Sequence, residues 1–264
     1  MGFSSPEPVS DTVAEASRLG PVALSDFWEG QAERWVRWAR EPGHDTYWRF
    51  HRDRFLGLLP PPGRLTVDVG CGEGRLARDL KALGHTVLAV DRSPTMVRHA
   101  READPELDVR EADAVALPVA DGQADLVVSF MSLMNTDDLD AAVREAARAL
   151  EPGGRYCLAI THPINTAGGF ESEDADARFV IDGSYFDRQA EEIAVERNGL
   201  EMTFLDAHRP LEDFSRALED AGFLVERVRE VEDTTEEPAQ QSILRWRRIP
   251  LFLHIRAGAV SSSE

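Results

Sequence analysis

Cysteine is nearly missing from the 264 residues: Cys71 and Cys157 are the whole complement. They stand far apart and match no metal-ligand spacing, so no disulfide framework is expected, and a reduced, cytoplasmic setting is the simple reading. Long apolar runs are missing too. No stretch approaches the roughly 18 apolar residues of a membrane span, although apolar residues make up 42% of the chain, enough for one sizeable core. The opening MGFSSPEPVSDTVAEAS has neither a basic nor an apolar segment. It reads as a flexible leader over 1–24, not as a secretory signal. Positive charge is in short supply: 29 basic residues face 48 acidic ones, for a net charge of −19. That balance argues against a nucleic-acid partner, whose phosphates need a basic face. The cluster RWRR at 245–248 is too short to reverse it.

What is present is a rhythm. Residues 25–60 are helical and aromatic, with Trp28, Ala32, Trp35 and Ala39 on one face, and PPPG at 60–63 ends them. Short β-branched runs then alternate with amphipathic segments. Strands are expected at 65–70, 85–91, 107–113, 124–132 and 155–161, and helices at 74–84, 93–103 and 138–150. Ser93 and Pro94 mark a helix start, and EPGG at 151–154 reads as a turn. This alternation predicts right-handed crossovers and a parallel sheet with helices on both faces. Residues 162–209 interrupt it with an irregular insertion that ends in a hairpin around Asn198-Gly199. A helix at 210–223 and closing strands at 223–231 and 249–257 complete one domain over 25–264. The acidic EVEDTTEEP is read as a solvated loop.

The stretch DVGCGEG, 68–74, lies between the first strand and its helix, where open α/β sheets bind ligands. Glycine there permits a tight turn and close approach of backbone to ligand. A dinucleotide fingerprint would place its third glycine where Arg75 stands. The acid at Asp68 would repel a pyrophosphate and attract an ammonium group. The pattern points to a ligand with a positive end and no phosphate. An NAD-linked oxidoreductase is disfavoured for the same reasons.

These residues resemble the first motif of the class I S-adenosylmethionine (SAM)-dependent methyltransferases. The resemblance runs from about Leu65 to Ile160 and is strongest to the small-molecule group that includes the ubiquinone/menaquinone-type enzymes. It implies a Rossmann-like, doubly wound, mostly parallel seven-stranded α/β sheet; 25–60 then form an N-terminal helical cap, and the insertion over 162–209 is long enough to be a lid that closes over bound SAM. It places Asp68, Gly70, Cys71, Gly72 and Gly74 at the methionine end of SAM. Asp91, ending the second strand, has the reach to accept both ribose hydroxyls. By the same resemblance Arg92 and Met96 flank the cofactor, and Asp113 and Ala114 meet the adenine. Ser129, Phe130 and Met131 then fall on the sulfonium side.

For the acceptor, His162 at the end of the fifth strand is the candidate general base, with His208 next. A related group carries HP, YFD-like and HR segments. Here these are His162-Pro163, Tyr185-Phe186-Asp187 and His208-Arg209, expected along an acceptor pocket. Trp35 and Trp38 are read chiefly as core. Asp137 and Asp138 follow the fourth strand but have no acidic counterpart after the fifth, so they are read as helix-terminal charges, and no metal is expected. The implied activity is methyl transfer to a small-molecule acceptor, on O, N or C. A non-methylating reaction with bound SAM, such as a cyclisation, stays open. So does the choice between monomer and homodimer.

Overall fold

The structure, a computed structural model, describes residues 12–13, 17–18, 24–234 and 241–260. Most of the expected 1–24 leader and the far end of the acidic loop lie outside these. In chain order, two short strands, β1 (Thr12–Val13) and β2 (Ser17–Arg18), precede helix α1 (Leu24–Arg40). A π-helical turn, Tyr47–His51, runs into α2 (Arg52–Leu56). The alternating region follows: β3 (Thr66–Val69), α3 (Arg75–Ala82), β4 (Val87–Asp91), α4 (Pro94–Ala103), β5 (Asp108–Glu111), β6 (Ala124–Phe130), α5 (Leu139–Ala149) and β7 (Leu150–Thr161). The insertion contains α6 (Pro163–Thr166), β8 (Gly169–Phe170), β9 (Phe179–Val180), β10 (Gln189–Arg197) and β11 (Leu200–His208). The chain closes with α7 (Leu211–Asp220), β12 (Phe223–Val231), a 3₁₀ segment at Gln241–Arg248 and β13 (Phe252–Ala259).

Seven strands form the central sheet in the order β12-β13-β7-β6-β3-β4-β5. The five from β7 to β5 are parallel, and β13 runs antiparallel between β12 and β7. The order reverses between β3 and β6, so the crevice for a ligand opens at the carboxyl end of β3. The parallel strands are buried on both faces, which is why they read as continuous apolar runs. Val67, Val69, Leu158 and Ile160 pack one face against Val143 and Ala146 of α5 and Phe214 and Leu218 of α7. Ala89, Leu126, Val128 and Ala159 pack the other against Leu76 and Leu80 of α3, Val97 of α4, and Tyr47 and Phe55. Helix starts follow capping chemistry. The Ser93 hydroxyl accepts from the Met96 amide, and the Asp138 carboxylate accepts from the Ala141 amide.

The hairpin sits where its turn residues place it. Asn198 and Gly199 have φ of 51° and 76°, the left-handed pair that a two-residue turn requires. Its strands pair from Gln189↔His208 to Arg197↔Leu200, and β1 and β2 add to the β10 edge. Two local readings of the sequence are corrected. EPGG is part of β7, which starts directly after α5 at Leu150, with Gly153 at φ +80° absorbing the irregularity. The second N-terminal helix opens with a π turn that buries Tyr47, Phe50 and His51 together.

Candidate active site

A cavity of about 600 Å³ opens at the carboxyl ends of β3, β4 and β6, roofed by α1 and the β10–β11 hairpin. Its floor is the DVGCGEG loop. Gly70 and Gly72 adopt φ of 74° and 56°. A Cβ on Gly70 would stand 2.3 Å from the Ser132 Cβ, so only glycine lets the post-β6 loop close over the β3 end. Gly74 is not on the cavity wall. A Cβ there would crowd Ala100 at 3.1 Å, so this glycine serves the contact between α3 and α4. Burial, with the Asp91 and Asp68 carboxylates adding repulsion, holds the Cys71 thiol well above the usual thiol value, so it stays protonated and the residue offers its backbone to the cavity.

Asp68 is fully buried on this wall, and neither carboxylate oxygen meets a donor. Burial, with Asp91 adding repulsion, pushes its pKa up to about 7. An unpartnered buried carboxylate is costly unless a cation completes it. Asp91 differs. Its two oxygens accept the Gly72 amide at 2.7 Å and the Ser93 amide at 2.9 Å, tying the glycine loop to the start of α4. Burial raises its pKa while those amides oppose the shift. Arg92, at the cavity rim, faces Asp113 at 3.4 Å and Asp137 at 3.6 Å. Met96 packs against Ala32 and Val36 of α1. Asp113 and Ala114 line the same end, and the Asp113 carboxylate accepts from the Val115 amide.

On the other side, the Ser129 hydroxyl is bonded to the Tyr156 hydroxyl at 2.9 Å. Phe130 stands edge-on to Tyr47, His51 and Phe55 while also facing the cavity. Met131 has φ +53°, a left-handed conformation unusual for a long side chain, and its amide is anchored on the Ala159 carbonyl. Such strain tends to occur where a site must be held open. The roof is aromatic: Trp28, Trp35, Trp38 and Phe204 meet edge to face at centroid distances of 5.7 to 6.2 Å. Ile193, Val195 and Arg197, alternate residues of β10, point into the same space.

The four expected acceptor-side residues of the insertion lie elsewhere. His162 caps α6, its Nδ1 accepting from the Ile164 amide, and its Nε2 faces Glu230 at 3.2 Å. His208 donates from Nε2 to the Tyr185 carbonyl and meets the Thr166 hydroxyl through Nδ1. The Tyr185 hydroxyl accepts from the Leu211 amide. The Arg209 guanidinium donates to the Met134 and Thr136 carbonyls at 2.6 Å each. These contacts hold the insertion to the sheet, and none of the four side chains lines the cavity. Of the seven histidines, His44 alone lines it, with Nε2 against the Arg197 carbonyl and Nδ1 unpartnered. Tyr156, Phe204 and Phe252 line it as well, and like His44 they carry no sequence signal of their own; Trp38 is buried, as the core reading expects, and with Trp35 borders the cavity as well. A strand-end histidine looks alike in sequence whether it caps a helix or faces a ligand.

Comparisons with known proteins agree with this geometry. The methyltransferase-domain family model matches residues 67–158. A ubiquinone biosynthesis O-methyltransferase of Methylobacterium nodulans is 30% identical over 176 residues, 63% of this chain and 70% of that protein. A ubiquinone/menaquinone biosynthesis C-methyltransferase of Caulobacter vibrioides is 33% identical over 121 residues, 40% of this chain and 48% of that protein. The chain thus spans about half the length of several of the curated relatives it matches. The crystal structure of a SAM-dependent methyltransferase from Mesorhizobium loti superposes with a TM-score of 0.65 at 26% identity, covering 81% of this chain and 98% of that one. The [4+2]-cyclase SpnF shares the fold at 15% identity and a TM-score of 0.60, over 92% of this chain and 98% of that one. With the glycine-loop floor, the β3/β6 switch point and these likenesses together, the chain belongs to the class I SAM-dependent methyltransferases.

Proposed function

We propose that the protein transfers a methyl group from SAM to a small, largely apolar acceptor that carries a flat ring. The observation that supports it most is the unpartnered Asp68 carboxylate on a floor of left-handed glycines. It fits the ammonium group at the methionine end of SAM and repels phosphate. Asp91 would hold the ribose hydroxyls through the lone pairs left by its two amide bonds, and Asp113 with Arg92 would border the adenine. When bound, SAM supplies an already activated methyl group on a sulfonium centre.

The chain's own task is to position the acceptor and exclude water. The aromatic roof offers flat apolar surfaces on which a ring can stack. Orientation of this kind is worth up to about 7–11 kcal/mol of a bimolecular barrier. Where the acceptor must lose a proton, His44 is the imidazole on the cavity wall, in place of His162 and His208.

The test is calorimetric titration with S-adenosylhomocysteine, with NADH as control. Saturable binding of the former alone, weakened at least tenfold in Asp91→Ala, is the expected result. Binding of NADH alone would refute the reading. Acceptors are then screened by a mass gain of one methyl. A product of unchanged mass would instead indicate a cyclase-like use of the same fold.

A further inference from the structure

His44 sits in the turn between α1 and the π turn and is 4% exposed. Its Nε2 lies 2.9 Å from the Arg197 carbonyl. A carbonyl oxygen only accepts, so Nε2 carries the hydrogen when the ring is neutral. Nδ1 then holds the lone pair, and it is buried without a hydrogen-bond partner among the described residues. The hairpin therefore sets the tautomer of this imidazole. The contact is reciprocal, because Arg197 Nη1 donates to the Gly43 and His44 carbonyls at 2.9 Å each. Trp38 meets the His44 ring edge to face at 4.9 Å and fixes its plane.

A buried lone pair left without a donor is costly, and this one belongs to a residue of the cavity wall. A ligand that brings a hydrogen on oxygen or nitrogen relieves it. Charge narrows the choice. Among the described residues of the roof, Asp45 is the one acid on the cavity, and it is paired with Arg75. Arg197 adds positive charge on the same side. Such a roof disfavours an ammonium group. It favours an oxygen that becomes negative as it gives up its proton.

Resting on the reading that the floor holds SAM, we propose that the acceptor is a hydroxyl compound, a phenol or enol carried on the flat ring, and that His44 is its general base. Nδ1 takes the hydroxyl proton while the acceptor oxygen forms its bond to the methyl carbon. The C–S bond breaks with its electron pair staying on sulfur, so the leaving group is a neutral thioether. The imidazolium then returns its proton to solvent. Arg197 and Trp38 are the positioning residues, since they fix the tautomer and the ring plane.

The experiment uses the full chain saturated with S-adenosylhomocysteine and two probes that differ by one group: umbelliferone, a flat fluorescent phenol, and its methyl ether. Wild type should bind the phenol roughly three- to tenfold more tightly, the worth of one hydrogen bond. His44→Phe should abolish that preference and leave the affinity for S-adenosylhomocysteine unchanged. With SAM in its place, wild type should methylate umbelliferone. His44→Gln keeps an amide oxygen to accept the hydrogen bond but cannot take the proton. It should lower kcat by roughly 10²–10⁴-fold with KM little changed. If His44→Phe fails to fold, the wild-type comparison and His44→Gln carry the test. Equal wild-type affinity for the two probes overturns the proposal. So does wild type that binds the phenol without methylating it, or an unchanged kcat in His44→Gln. Wild type that binds S-adenosylhomocysteine but neither probe overturns the proposal together with the flat-ring acceptor, and leaves the cofactor reading intact. Wild type that does not bind S-adenosylhomocysteine overturns the cofactor reading and the proposal together.

Discussion

Asp68 has a pKa of about 7 in the fold because burial and Asp91 resist its ionisation, against roughly 3.9 for an ordinary aspartate. The native state therefore keeps a proton that the unfolded chain releases, and stability falls as pH rises from about 4 to 7. Over that span the loss is at most roughly 4 kcal/mol. Asp68→Asn should accordingly melt above wild type at pH 7.5 without ligand, with the gap narrowing at pH 5, and should bind S-adenosylhomocysteine at least tenfold more weakly. A variant that melts below wild type at pH 7.5 would show that the carboxylate is already satisfied. Gly70→Ala makes a second case. The added carbon meets Ser132 in a left-handed backbone, so a loss of about 2–4 kcal/mol in denaturant unfolding is expected. Asp68, Gly70, Gly72 and Asp91 were legible because their geometry is local, set by a turn and a strand end. Arg75 carries no such local signal, because its neighbours Asp45, Trp35 and Tyr47 come from the N-terminal helices and the turn between them.

The roof joins segments distant in sequence. Trp35 and Trp38 come from α1 and Phe204 from β11, and they touch only because the hairpin folds back over the sheet. Periodicity showed α1 as a helix, and the Asn-Gly pair showed the hairpin. Nothing in either pattern says that the two meet, so the sequence shows Trp38 as the buried residue it is but not that its ring also borders a cavity. If the roof closes over the ligand, S-adenosylhomocysteine should slow limited proteolysis within 170–200 at least several-fold, while cleavage at the exposed β12 edge stays unchanged. Equal cutting of the roof with and without ligand would mean that it does not respond to occupancy. Gly199→Val, placed where φ is +76°, should weaken the hairpin and raise KM for the acceptor more than for SAM.

Acid weakens the molecule through its buried imidazoles. His51 and His254 are hydrogen-bonded to each other at 3.0 Å. Burial keeps His51 well below the ordinary histidine range and lowers His254 to about 4. His85 and His162 are lowered too. A depressed imidazole contributes stability that is full above about pH 6.5 and is lost as pH falls, by roughly 1.4 kcal/mol per unit per group. Asp68 and Asp91 act in the opposite direction, but they are two against four. The melting temperature is therefore expected to drop between pH 7 and pH 5. A flat profile would show that the His51–His254 pair is not held neutral by burial. The sheet as a whole was readable because strand and helix alternate in a chain buried on both faces. The π turn that buries His51 was not, since π and α turns share the same apolar pattern over so few residues.

The cavity has two origins. Most of its floor comes from one continuous stretch, 68–138, with Tyr156 and Phe252 beside it, whereas its roof comes from α1, the 44–46 turn and β10–β11, which lie on either side of that stretch in the chain. The two are not independent: Met96 of the floor packs on Ala32 and Val36 of α1, Glu73 pairs with Arg40, and Thr95 bonds to Glu29. An exchange of the roof that is to change the acceptor and spare the cofactor grip has to keep those three contacts. A chimera that grafts a relative's roof onto this floor would take α1 together with His44, which is bonded to Arg197 of the hairpin, and the hairpin itself at 189–208.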